Sequence, residues 1–99
     1  MTQRCISLFG ATGSVGQSTL DLVRRGGEAW RVTVLTANSD VGELANLARE
    51  FRPDVAVIAD AARLSDLKAA LADTGIEAAA GADALVEAAQ RQTDLVMAA

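Results

Sequence analysis

The chain alternates along its whole length between short apolar runs and longer amphipathic segments. The apolar runs are rich in Val, Ile, Leu and Ala and predict strands. They cover residues 4–9 (RCISLF), 30–37 (WRVTVLTA), 55–59 (VAVIA), 76–80 (IEAAA) and 94–99 (DLVMAA). Because each strand is followed by a helical segment after only a few residues, successive strands must run parallel, with helices covering both faces of one sheet.

The four segments between these strands carry the apolar spacing of helices. The first covers residues 14–25 and ends in two arginines followed by two glycines, which is a helix stop signal. The others have apolar stripes at Val41, Leu44, Ala45 and Ala48, at Leu64, Leu67 and Leu71, and at Ala82, Leu85, Val86 and Ala89. Asp40 followed by Glu43 resembles a capping box at the start of the second helix. The order predicts a three-layer, Rossmann-like, doubly wound α/β fold with about five parallel strands, truncated at the fifth.

Composition limits the classes of function. With 99 residues, of which 51% are hydrophobic, the chain can form one domain with a real core. A net charge of -4 argues against binding to nucleic acid or to an anionic membrane surface, and no apolar run reaches the roughly 18 residues of a membrane span. The single cysteine, Cys5, lies in an apolar run and fits a small core residue in a reducing compartment. We therefore expect a cytoplasmic protein.

The final strand pattern runs to the last residue, Ala99. An α/β domain would ordinarily continue into a further helix or strand. We therefore expect residues 1–99 to be the amino-terminal, nucleotide-binding part of a longer protein.

Three glycines, Gly10, Gly13 and Gly16, stand between the first strand and the first helix in the sequence GATGSVG. In a doubly wound sheet, ligands bind beyond the carboxyl ends of the strands, where the strand order reverses, and the first strand–helix turn lies there. Gly10 would allow the tight turn, Gly13 would let a pyrophosphate approach the backbone, and Gly16 would let the helix pack closely. A purely structural turn is the alternative.

The loop also offers hydrogen-bond donors. We expect the backbone N–H groups of Gly13, Ser14 and Val15 to face an anion at the positive end of the helix dipole, with hydroxyl donors from Thr12 and Ser14. The position of the loop within a strand–helix–strand unit favours nucleotide binding. A P-loop is excluded, because the glycines are not followed by Lys and then Ser or Thr.

The end of the second strand bears on the choice of cofactor. NAD-binding proteins usually place a carboxylate there to bond the ribose 2′-hydroxyl. The sequence here is Thr36-Ala37-Asn38-Ser39-Asp40, and Asp40 is better placed as a helix N-terminal residue. Small polar side chains and exposed N–H groups would accept a 2′-phosphate, which favours NADP over NAD. Helix capping by Asn38 and Ser39 is the alternative.

The segments GATGSVGQSTLDLVRR, RVTVLTANSDVGELANLAREFRPDVAVIAD and DLVMAA resemble the amino-terminal part of the 1-deoxy-D-xylulose 5-phosphate reductoisomerase family. The resemblance covers nearly the whole chain, and QSTLDLVRR and the MAA ending are its specific parts. It implies an NADPH-dependent oxidoreductase and isomerase that converts a sugar phosphate to 2-C-methyl-D-erythritol 4-phosphate in non-mevalonate isoprenoid biosynthesis. It further implies a homodimer that uses Mg²⁺, Mn²⁺ or Co²⁺.

The resemblance also assigns site residues. Thr12, Gly13, Ser14 and Val15 match the pyrophosphate loop, and Gly10 is added to the predicted cofactor-binding residues because of its place in the turn. Asn38, Ser39 and Asp40 match the segment beside the adenosine 2′-phosphate, where Ser39 replaces a common lysine. The family's catalytic, metal-binding and substrate-binding residues lie beyond position 99, so the fragment alone is expected to be inactive. The acids at positions 54, 60, 66 and 73 are predicted to be solvated or to cap helices.

Two other functions remain open at the level of the sequence. The chain could belong to another glycine-loop dehydrogenase, of the aspartate-semialdehyde dehydrogenase or extended short-chain type. It could also be a non-catalytic module that senses a nucleotide.

Overall fold

The computed structural model of the chain describes residues 3–98. In chain order, its elements are β1 (Arg4–Phe9), α1 (Ser14–Gly26), β2 (Trp30–Ala37), α2 (Val41–Phe51), β3 (Val55–Ile58), α3 (Leu64–Ala70), β4 (Glu77–Ala80), α4 (Ala82–Ala89) and β5 (Leu95–Ala98). Short 3₁₀ turns precede β2 and α3.

The predicted elements are confirmed in kind and order. The limits of β1 and β2 agree with the sequence pattern, and the starts and ends of β3 and β4 differ from it by at most one residue. The predicted fifth strand begins one residue later than expected, because Asp94 belongs to the turn: its carboxylate accepts a hydrogen bond of 2.6 Å from the N–H of Cys5. The last predicted residue, Ala99, lies outside the described residues.

The five strands form one parallel sheet in the order β4-β3-β2-β1-β5. Successive strands are added on one side of β1 as far as β4, and the chain then crosses back to place β5 on the other side. The strand order therefore reverses at β1, as a doubly wound sheet requires. The predicted α/β fold is confirmed, and the carboxyl end of β1 lies beside the point of reversal.

The helices divide unevenly between the two faces of the sheet. The main core lies under α1, α2 and α3, where buried leucines of the helices meet apolar residues of β1, β2 and β3; its largest members include Leu8, Leu20, Leu35, Leu44, Ile58 and Leu67. A smaller cluster lies under α4 and contains Val34, Val55, Val57 and Ala88. The sheet thus has a thick core on one face and a thin one on the other.

The predicted apolar stripe of α4 is wrong in part. Ala88 is buried and Ala84 and Leu85 pack against the small cluster, whereas Val86 is 57% exposed and Ala89 is exposed. Half of this eight-residue helix is alanine. Alanines contribute little apolar area, so their spacing does not decide which face of a helix turns toward the sheet.

The acids that the sequence assigns to solvent or to helix caps occupy such positions. Asp54 pairs with Arg31, Asp73 pairs with Arg49 at 3.1 Å, and Asp60 accepts from the N–H of Ala62. The fourth, at position 66, is exposed in the first turn of α3. The hydrogen bond from the Arg31 guanidinium holds the pKa of Asp54 below its ordinary value of 3.8. Contact with Arg24 likewise lowers the pKa of Glu50.

These lowered pKa values predict a loss of stability in acid. A carboxylate whose pKa is lower in the folded chain contributes stability above its unfolded pKa, and that contribution disappears as the pH falls through the folded value. We expect Asp54→Asn to be less stable than wild type at neutral pH, by less than about 1 kcal/mol for such an exposed pair. The difference should shrink below about pH 3.8.

Urea unfolding across this pH range, at one low protein concentration, measures the effect. Glu28→Gln serves as the control, since Glu28 is exposed in the turn before β2. A stability difference between Asp54→Asn and wild type that is independent of pH would contradict the assignment.

The edge strand β5 predicts self-association of the 99-residue chain. Among residues 3–98, no strand pairs with the outer edge of β5, and Leu95 and Val96 are 40% and 52% exposed. An apolar unpaired edge is a template for pairing with another chain, and a lysine on the edge suppresses it. We expect Val96→Lys to reduce association in sedimentation experiments, and Val86→Lys, equally exposed but on α4, to leave it unchanged. A wild-type chain that stays monomeric would refute this expectation.

Candidate functional site

The predicted site residues lie together at the carboxyl ends of β1 and β2. These two strands are hydrogen-bonded neighbours, so the turn that follows β1 and the turn that follows β2 emerge side by side. The first turn contains the three glycines and leads into α1. The second contains Asn38, Ser39 and Asp40 and leads into α2.

Two of the glycines are required by the fold itself. Gly10 has a φ of 81°, in the region that residues with a Cβ rarely adopt. At Gly16 a Cβ would lie 2.3 Å from the carbonyl oxygen of Gly10 and 2.8 Å from that of Ala11. Both contacts are with backbone, which cannot move aside. The predicted roles of Gly10 in the tight turn and of Gly16 in close packing are therefore confirmed.

The third glycine, Gly13, is not required by the chain's own packing. Its φ of −76° and ψ of 169° are open to any residue, and a Cβ there would meet only the Gly10 oxygen, at 3.6 Å. A purely structural turn would therefore tolerate a side chain at this position. A ligand that approaches the backbone gives a reason for glycine.

One expectation about this loop is wrong. The N–H of Gly13 does not face outward, because it donates to the Gly10 carbonyl at 3.2 Å and closes the turn. The groups left open are those of the next residues: within the described part of the chain, the N–H groups of Ser14, Val15 and Gly16 have no hydrogen-bond partner. Ser14 and Val15 are exposed and Thr12 is half-buried.

The start of α1 contrasts with the start of α2. In α2 the side chain of Asp40 accepts the N–H of Glu43 at 3.0 Å and so caps the helix. In α1 the N-cap is Gly13, which has no side chain to do this. The first turn of α1 thus presents its donors, at the positive end of the helix dipole, to an external anion.

Thr36, near the end of β2, holds the glycine loop in place. Its hydroxyl accepts the N–H of Gly10 at 3.0 Å, and its carbonyl accepts the N–H of Ala11 at 2.7 Å. Thr36 is buried. Sequence reasoning did not assign it this role; the only signal was a hydroxyl in an otherwise apolar strand end.

The segment after β2 behaves as the sequence predicts for Asp40 and differs for the two residues before it. Asp40, and neither Asn38 nor Ser39, caps α2. All three residues are exposed, and the Asn38 carbonyl accepts the N–H of Asp60 at 2.9 Å. The predicted alternative, helix capping by the side chains of Asn38 and Ser39, is therefore not observed.

The expected capping box is only half formed. The carboxylate of Glu43 does not return to the N–H of Asp40; it accepts a hydrogen bond of 3.0 Å from the side-chain amide of Gln17 on α1. Gln17 and Glu43 are both half-buried. This contact joins the first turns of the two helices and was not predicted from the sequence.

The other surface features of residues 3–98 do not form a second candidate site. A depression of about 410 Å³ lies at the opposite, amino ends of the strands. Of its four charged residues, Arg24 and Glu50 pair with each other, Arg31 pairs with Asp54, and the fourth is Arg52. No group of three or more acidic or cysteine side chains in this part of the chain could hold a metal ion. No helix there has the length and apolar character needed to cross a membrane.

The comparisons with known proteins agree on one family. The family model described as 1-deoxy-D-xylulose 5-phosphate reductoisomerase matches residues 6–99. The reductoisomerase of Rhodopseudomonas palustris (strain BisB18) is 56% identical over 96 residues, and that of Ruegeria sp. (strain TM1040) is 52% identical over 99. These matches cover 97% and 100% of this chain but 24% and 25% of the relatives. The chain therefore spans about a quarter of their length.

The solved structures give the same result. The chain is similar to the reductoisomerase of Zymomonas mobilis in complex with NADPH, with a TM-score of 0.94 and 49% identity over 96% of this chain and 25% of that one. A reductoisomerase in complex with NADPH, fosmidomycin and magnesium gives a TM-score of 0.86 at 31% identity, over 94% of this chain and 23% of that one. The chain belongs to the 1-deoxy-D-xylulose 5-phosphate reductoisomerase family.

Proposed function

We propose that the chain is the NADPH-binding part of a reductoisomerase, with the pyrophosphate on the glycine loop and the adenosine 2′-phosphate beside Asn38, Ser39 and Asp40. The observation that carries the proposal is the uncapped start of α1. Within residues 3–98, the N–H groups of Ser14 and Val15 have no partner and are placed beside the point where the strand order reverses. A diphosphate would satisfy these donors.

Gly13 adds an independent argument. Packing within the chain does not require glycine there, whereas a pyrophosphate in contact with the backbone does. The similar enzyme from Zymomonas mobilis was solved in complex with NADPH, which supports the choice of cofactor.

The preference for NADPH over NADH follows from the second turn. Asp40, the first acid after β2, caps α2 with one carboxylate oxygen and so lies at the helix start. NAD-binding proteins instead place the carboxylate that accepts the ribose 2′-hydroxyl at the strand end. Ser39 is exposed, and its hydroxyl offers a donor to a phosphate. The N–H groups of Val41 and Glu43 at the start of α2 already have partners within the chain.

We extend the proposal to the whole protein on the strength of the family. It would convert 1-deoxy-D-xylulose 5-phosphate to 2-C-methyl-D-erythritol 4-phosphate as a cytoplasmic homodimer. A divalent cation, Mg²⁺, Mn²⁺ or Co²⁺, would be bound outside residues 3–98, and the fragment alone would be inactive. The magnesium and the fosmidomycin in one of the similar structures support a divalent cation and a small-molecule ligand. The family match favours this function over another dehydrogenase or a nucleotide sensor.

Substitutions of two glycines separate binding from folding. In the full-length protein we expect Gly13→Val to raise the Kd for NADPH about a hundredfold or more, because the new side chain occupies the pyrophosphate position. Its circular dichroism should be unchanged, because a Cβ at this position meets the protein only at 3.6 Å. Gly16→Ala should instead destabilise the fold by several kcal/mol (about 3 or more), because its Cβ meets backbone at 2.3 Å. Fluorescence titration and urea unfolding measure the two effects. Unchanged NADPH affinity in Gly13→Val would defeat the assignment.

Two threonines of β2 allow a matched test of whether Thr36 holds the glycine loop in place. Thr36→Val removes the acceptor of the Gly10 N–H, and Thr33→Val removes a buried hydroxyl that bonds the Ile6 carbonyl at 3.1 Å, away from the loop. Each should cost about 1–3 kcal/mol of stability. Only Thr36→Val should also weaken NADPH binding, by about tenfold. Equal affinities in the two variants would show that Thr36 has no part in holding the loop.

A further inference from the structure

The hydrogen bond between Gln17 and Glu43 joins the first turns of the two helices that follow the proposed phosphate-binding segments. Gln17 is in the first turn of α1, directly after the glycine loop, and Glu43 is in the first turn of α2, four residues after Ser39. The side-chain amide of Gln17 donates to one carboxylate oxygen of Glu43 at 3.0 Å. Both side chains are half-buried, so the contact is partly shielded from water.

The two segments of the proposed site contain acids and no cation, and Arg63, in the turn after β3 at the same end of the sheet, pairs with Asp60 at 3.5 Å. Residues 10–17 and 36–43 contain no Lys or Arg, yet they include Asp40 and Glu43. Two carboxylates near the ribose oppose a 2′-phosphate by like-charge repulsion. The carboxylate of Asp40 is engaged by the N–H of Glu43 at 3.0 Å. The carboxylate of Glu43 is held by a donor from another element, the side-chain amide of Gln17.

We propose that Gln17 is a positioning residue for cofactor choice, which holds the Glu43 carboxylate against α1 and away from the adenosine 2′-phosphate. The inference rests on the proposed NADPH binding. A carboxylate released from this bond would be free to turn toward the ribose. There it would repel a phosphate, and it would accept a hydrogen bond from the 2′-hydroxyl of NADH, as carboxylates at this place do in NAD-binding proteins.

The role differs from simple reinforcement of the fold. A contact that only joined the two helices would, when removed, disturb both cofactors alike, because they share the pyrophosphate and the adenine. A contact that sequesters charge affects only the cofactor with the extra phosphate. Its removal should also be compensated by removing the charge on Glu43. Selectivity and rescue are therefore the informative measurements.

The experiment uses the full-length protein and titrates NADPH and NADH separately. Gln17→Met keeps the length of the side chain and removes its donor. We expect the Kd for NADPH to rise about tenfold and the Kd for NADH to stay constant or fall. The rise should be smaller at about 300 mM than at about 50 mM salt, because salt screens the repulsion.

The double variant Gln17→Met/Glu43→Gln should bring the NADPH affinity back to about the wild-type value, because the freed side chain no longer carries a charge. Glu43→Gln alone should keep or improve the NADPH affinity. Gln90→Met, on an exposed glutamine after α4, is the matched control and should change neither affinity.

Equal losses for NADPH and NADH in Gln17→Met, or no recovery in the double variant, would overturn the inference and leave NADPH binding intact. A wild-type protein that binds neither cofactor would instead overturn the proposed function. The stability of Gln17→Met is also measured by urea unfolding. If this variant does not fold, Glu43→Gln alone tests the inference, and a fall in its NADPH affinity refutes it.

Discussion

The close approach of α1 to the backbone of the β1–α1 turn is the constraint on which the site depends. The absence of a Cβ at Gly16 lets the helix start against the carbonyl oxygens of Gly10 and Ala11. That contact fixes both the position and the direction of the first turn of α1. Thr36 then ties the same loop to β2 through two hydrogen bonds. The open donors of the helix are held in place before any ligand arrives, so an anion can bind without ordering the loop first.

The three glycines have different roles, and this explains how a short motif can serve both folding and binding. Gly10 and Gly16 are needed by the chain itself, through a positive φ and a backbone contact. Gly13 serves neither purpose, and it replaces the side chain that would otherwise cap α1. An aspartate or serine at that position would satisfy one of the helix donors internally. Glycine instead leaves them to a ligand and lets it come close.

Most of the fold could be predicted from the sequence because the signals are local. Short connections force parallel strands, and the apolar stripe of α2 identifies its buried face, with Leu44, Ala45 and Ala48 all buried. Where the local signal is weak, as among the alanines of α4, the predicted face was wrong. The bonds of Thr36 and Gln17 join residues 26 positions apart. They depend on strand register, including the irregularity between Ile6 and Ser7, which no local pattern encodes.

The difference between local sequence signals and tertiary contacts also matters for the charges at the site. Residues 36–43 contain two acids and no base, a charge that opposes a bound 2′-phosphate, whereas the small polar side chains of the same segment favour one. The structure reduces this opposition, because both carboxylates are restrained by hydrogen bonds from the protein: Asp40 by a backbone N–H and Glu43 by Gln17. A carboxylate with a fixed donor cannot turn toward a ligand without losing that bond. Where a lysine is absent, control over the nearby acids can replace an added cation, while the open donors at the start of α1 hold the pyrophosphate.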